Sequence, residues 1–158
     1  MEGNQMAGLM ALGGVVIALI AIVALAIGVA LCWFLMTCFQ RIPEAHRKQQ
    51  PAMVWLLLIP CFNLVWNFFV HPRLADSYKS YFDSVGKQDV GDCGANLAKI
   101  YCWGCVVSIV PNLLSRIPGL QMVVGALSCL ISLGLLVVLV LMLVKFGTLK
   151  GQIPEQSV

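Results

Sequence analysis

A chain of 158 residues in which 60% are apolar and only 11% charged cannot cover itself with a water-soluble surface, for which roughly a quarter charged residues is usual. Its formal charge of +3 is too small to point to nucleic acid and lies in a few polar stretches. Composition excludes an ordinary soluble domain and makes the lipid bilayer the first expected partner.

An all-α, membrane-embedded helical bundle is expected, forming one domain over 1–158. A helix rises about 1.5 Å per residue and the hydrocarbon core is about 30 Å thick, so roughly 20 apolar residues suffice to cross. The first stretch, 7–39, carries no charge, and the head before it has no Lys or Arg. It is expected to stay attached as a transmembrane helix and not to act as a cleaved signal peptide.

The second stretch, 51–70, barely reaches spanning length and is interrupted by Pro60. Residues 72–85 follow as an amphipathic helix. Leu74, Tyr78, Tyr81, Phe82 and Val85 recur at helical spacing, and Arg73, Asp76, Lys79 and Asp83 lie elsewhere around the turn. That helix is expected either to lie on the membrane surface or to pack on its own bundle. The third stretch, 95–115, holds Lys99 close enough to one end to snorkel, and the fourth, 117–144, is uncharged. Pro118 and Gly119 begin the fourth with a turn that makes it an antiparallel hairpin with the third; 145–158 reads as a short polar tail.

Whether 51–70 crosses decides the topology, and basic residues collect on the cytoplasmic side. Four crossings would divide the ten Lys and Arg almost evenly, whereas a second stretch that dips in and returns leaves Arg116 alone on the outer face. The re-entrant hairpin is therefore the favoured topology, with an external N-terminus. Pro60 breaks the helix near the midpoint, Asn63 is placed to cap a second half-helix, and Trp55 and Trp66 flank the break at comparable depth.

The run Ile59-Pro60-Cys61-Phe62-Asn63-Leu64-Val65-Trp66, preceded by basic residues and followed by the Arg73 to Phe82 helix, resembles an element of small bacterial multi-pass membrane proteins of unassigned function. The likeness extends over 41–83. It implies a bacterial cytoplasmic membrane setting and carries over no catalytic residue and no cofactor.

Two features could carry chemistry. Cys102 and Cys105 form a C-x-x-C pair on one helix face, with Cys93 nearby in a polar loop, and faintly resemble quinone-linked thiol oxidoreductases of four helices. The favoured topology puts the Cys93 end in the reducing cytoplasm, so packing is the favoured role of these thiols. Pro60, Asn63 and Asn67 are the candidate helix-break and pore residues, since a re-entrant loop presenting Asn could line a pore. Capping and interhelical bonding are favoured for them, and Asn112 invites the same two readings.

His46 and His71 lie at segment edges without a cluster of metal-ligating residues, so solvated or interfacial histidines and no metal site are expected. Small residues four apart, Ala24 and Gly28, Gly104 and Ser108, and Ser128 and Ser132, suit close helix packing. They would join this chain's own helices, a second copy or another membrane protein. The expected role is a non-enzymatic structural, scaffolding or accessory component. A small oligomeric channel or passive transporter and a thiol oxidoreductase are the alternatives.

Overall fold

The computed structural model describes the backbone of residues 2–87, 89–114, 117 and 121–154, and their side chains apart from 2–10, 60, 61 and 112. Every regular element among the described residues is helical. In chain order these are α1 (Glu2–Arg41), 3-10 helices at Glu44–His46 and Pro51–Leu58, α2 (Pro60–Ser84), α3 (Ala95–Val107), α4 (Ile109–Leu114) and α5 (Gln121–Gly151). Two of these, α1 and α5, are long and apolar enough to cross a membrane. They are lined with exposed aliphatic side chains such as Ile17, Ile20, Leu133 and Leu136, a surface suited to lipid.

Helices α1 and α5 run parallel, because Lys150 Nζ donates to Thr37 Oγ1 at 2.8 Å and Gly147 lies against Phe34. Helix α3 runs antiparallel to α5, with Gly94 against Phe146 and Gly104 against Leu135. The turn expected between the third and fourth stretches at Pro118 and Gly119, with Arg116, lies outside the described residues. A break at Ser108, whose hydroxyl bonds the Cys105 carbonyl, divides the third stretch into α3 and α4.

The second stretch folds as a V. Residues Pro51–Leu58 descend along α1, where the Cys32 thiol bonds the Val54 carbonyl and Trp55 Nε1 bonds Met36 Sδ. The chain reverses at Ile59, and α2 climbs back, Trp66 Nε1 donating to the Met53 carbonyl at 2.8 Å across the limbs. Both limbs therefore open at the end where α1 and α5 finish and α3 begins. The loop above is tied down by Arg47, whose guanidinium caps α1 through the Phe39, Gln40 and Ile42 carbonyls, and by Lys48 N donating to Ser77 Oγ.

Three expectations are corrected here. Residues 72–85 do not form a separate helix: α2 continues through Pro72. A proline inside a helix costs about 3 kcal/mol. It is outweighed because Val70, His71, Leu74, Ala75, Tyr78 and Phe82 make one unbroken buried stripe. The helix packs on its own bundle, with Asp76, Lys79 and Asp83 on its exposed side. The segment 145–158 is not simply a polar tail, since α5 runs to Gly151 and Phe146, Leu149 and Ile153 are buried. Asn63 is not a cap: α2 starts at Pro60 with Ile59 at the N-cap position and no side-chain cap bond.

Phe39 of α1 and Ile42 just after it, Leu74, Tyr78 and Phe82 of α2, and Phe146 and Leu149 of α5 make the core at the shared end. Cys93, expected in a polar loop, is turned into this core and only 1% exposed. Burial pushes its thiol pKa up, the opposite of what a reactive or relay thiol needs. Beside it, the Asp92 carboxylate accepts from the Gly94 and Asn96 amides at the start of α3.

Those amides, Asn96 first and then Gly94, hold the Asp92 carboxyl below the usual carboxylate range. Its folded pKa being depressed, its stabilising contribution is complete above the unfolded pKa, about 3.9, and is lost as pH falls through the folded value. Replacing Asp92 by Ala should cost about 1 kcal/mol at neutral pH. The difference from wild type should shrink in denaturation curves taken below that window.

Candidate functional site

Residues 63, 67 and 71 are one helical turn apart on α2 and form a hydrogen-bonded string. Asn67 Nδ2 donates to Asn63 Oδ1 at 2.8 Å, and Asn67 Oδ1 pairs with His71 Nε2 at 3.1 Å. The string lies inside the bundle, with Asn67 and His71 buried at 7% and 3% exposure. Tyr101 of α3 meets the His71 ring edge-on, with centroids 5.3 Å apart. The Cys102 thiol donates to the Asn67 main-chain carbonyl at 3.2 Å, so α3 is stitched to α2 at the same level.

Between these polar groups and the apolar sides of α1, α5 and the 3-10 limb lies a cavity of about 90 Å³. Asn63, Asn67, His71 and Tyr101 form its polar wall, facing Gly28, Cys32, Leu139 and Leu143. Gly28 matters because a β-carbon there would stand 3.2 Å from Leu58 Cδ2, so glycine lets the tip of the V approach α1.

Of the residues singled out from sequence, Asn63 and Asn67 are brought together, while the side chain of Pro60 and that of Asn112 lie outside the described ones. Cys102 and Cys105 are both free thiols, Cys102 fully buried and Cys105 half-buried. Neither lines the cavity. His71 was missed: it is neither solvated nor interfacial but the buried end of the string. His46 keeps a looser position, with Nδ1 3.1 Å from Ser80 Oγ. Among the described residues no three His, Cys, Asp or Glu side chains gather as a metal site.

No family model, curated protein or solved structure matches this chain.

Asn67 is the hub of the string, since it serves both neighbours. A single intramolecular hydrogen bond contributes about 0.5–1.5 kcal/mol net. A double-mutant cycle of Asn67→Leu and His71→Phe, followed by unfolding in mixed micelles, should return a coupling energy in that range. Strict additivity would mean that the two side chains do not share a bond.

Proposed function

We propose that this chain is a three-span protein of a bacterial cytoplasmic membrane, with an external N-terminus and a hairpin at 51–70 that enters from the cytoplasmic face and returns. On this reading α1, α3 with α4, and α5 are the spans. The basic residues at 41, 47, 48, 73, 79, 87, 145 and 150 all fall at the end where the hairpin opens, in keeping with positive charge inside. The hairpin tip reaches Gly28, thirteen residues before Arg41, a depth of about 20 Å and hence past the middle of the hydrocarbon. The bacterial setting rests on the resemblance of 41–83 noted above.

Its role on this reading is structural: a non-enzymatic component that assembles with other copies through α1. The observation behind it is that residues 11–27 are exposed throughout, with nothing among the described residues within 4 Å of a β-carbon placed at Gly13 or Gly14. Gly14 and Ala18 are small residues four apart on that bare half, and two copies of one such stripe are self-complementary. Single-molecule photobleaching in nanodiscs should show two or more copies per disc, reduced to one by Gly14→Ile with Ala18→Ile. A monomeric wild type contradicts the reading.

A passive channel or transporter is the second reading, favoured by the polar wall of the cavity. It requires solute flux in proteoliposomes that falls with Asn63→Leu, and unchanged flux removes it.

A further inference from the structure

An aromatic ladder on the outer side of α2 ends in a cation. The rings of Phe62 and Trp66 have centroids 5.0 Å apart, those of Trp66 and Phe69 5.5 Å apart, and the Arg73 guanidinium sits over Phe69 at 5.0 Å from its centroid. Residues 62, 66, 69 and 73 follow one another at steps of four, three and four, so they make a single stripe. Phe62 and Phe69 keep 39% and 38% of their surface exposed, and the Trp66 indole is anchored by its bond to the Met53 carbonyl.

Depth and charge name what covers the ladder. From Phe62 to Arg73 the helix rises about 16 Å, close to half of a hydrocarbon core about 30 Å thick. On the topology proposed above, the ladder therefore lines the inner leaflet from its middle to its headgroups. Arg47 is committed to Glu44 and to the end of α1. Among the described residues the Arg73 guanidinium, by contrast, has neither an ion pair nor a hydrogen bond, only the Phe69 ring.

A second cation stands beside it. The Lys48 amide donates to Ser77 Oγ at 2.9 Å, and that hydroxyl donates to the Arg73 carbonyl at 2.6 Å, so Lys48 lies one helical turn from Arg73 on the cytoplasmic side. Lys48 is exposed and has no ion pair among the described residues; Asp76, three residues beyond Arg73, is exposed and pairs with neither. A guanidinium held over a ring still offers its forked N–H groups, which match a phosphate. We propose that the ladder is a docking site for one anionic phospholipid of the inner leaflet, its headgroup phosphate on Arg73 and Lys48 and an acyl chain along Phe69, Trp66 and Phe62. The site rests on the hairpin topology and is independent of assembly through α1.

The test uses the full chain with Trp66 as its only tryptophan (Trp33→Phe, Trp55→Phe, Trp103→Phe) in vesicles of equal phosphatidylglycerol and phosphatidylcholine. Bromine, which quenches tryptophan on contact, is carried on the acyl chains of one lipid or of the other, so the membrane charge never changes. Quenching should report phosphatidylglycerol enriched at Trp66 by about fivefold for each of the two cations. Arg73→Gln should remove one such factor, and Arg73→Gln with Lys48→Gln should leave the two labels equal while Trp66 still meets lipid. Equal quenching by the two labels in the parent overturns the proposal, as does a preference that survives both substitutions. Quenching by neither label also overturns it, since protein such as a second copy would then cover the ladder. Labelling of Ala45→Cys and Ser84→Cys with an impermeant thiol reagent reports the topology separately. With both flanks protected, equal quenching removes the lipid site alone, whereas flanks on opposite faces remove the topology beneath it.

Discussion

Phe146→Ala should be the most damaging single truncation, lowering stability by about 3–5 kcal/mol, the range for removing a fully buried phenylalanine. Phe146 has no exposed surface and joins three parts of the chain. Its ring stacks on Tyr78 of α2 with centroids 6.0 Å apart, its carbonyl accepts from the Tyr78 hydroxyl at 3.4 Å, and Gly94 at the foot of α3 lies directly against it. The vacated space cannot easily close, because Tyr78, Phe82 and Phe39 are themselves fully packed. Tyr78→Phe, which gives up the long hydroxyl bond and the hydroxyl's interaction with the Cys38 thiol, should cost about 1 kcal/mol. Unfolding both variants in mixed micelles checks the contrast, and equal losses would mean that the shared end is not a tight core.

Gly104→Leu should be the second large effect, separating α3 from α5. A β-carbon at Gly104 would run into the side chain of Leu135, so the two helices pass closely at this point. Because the obstacle is the tip of a leucine, Gly104→Ala should be tolerated once Leu135 turns aside. Leucine at 104 leaves no such escape and should cost about 1–3 kcal/mol, as overpacking does. The compensating pair Gly104→Leu with Leu135→Ala should recover part of the loss. Failure to recover any of it would show that the crossing is elsewhere.

Length and hydropathy made α1 and α5 legible, because an uncharged run beyond spanning length has few alternatives. The break at Pro60 was legible for a comparable reason, since proline acts on its own neighbourhood. The same rule misled at Pro72, where local disruption is overruled by a buried stripe extending from Val70 to Phe82 on both sides of it. That one misplaced boundary hid the polar string. Asn63, Asn67 and His71 share a face only if the helix is continuous, and with a break assumed before Pro72 the histidine falls at an edge.

At the C-terminal end, Lys145 and Lys150 suggested that the membrane segment had finished. Phe146, Leu149 and Ile153, three and four residues apart, were the signal that a packed helix goes on. Pro60 marked where the second stretch turns, but nothing in the sequence marked the 3-10 form of the limb before it. The run Pro51–Leu58 is apolar on every side, so its periodicity distinguishes no helix type.

A hairpin that enters and leaves by one face is tested most directly by labelling single engineered cysteines in a cysteine-free background in intact cells. Ala45→Cys and Ser84→Cys flank the stretch, and Gln5→Cys marks the N-terminus. With a membrane-impermeant reagent, positions 45 and 84 should both be protected until the cells are opened, while position 5 labels at once. Labelling of only one of the two flanks would mean that the stretch crosses, which contradicts the three-span account.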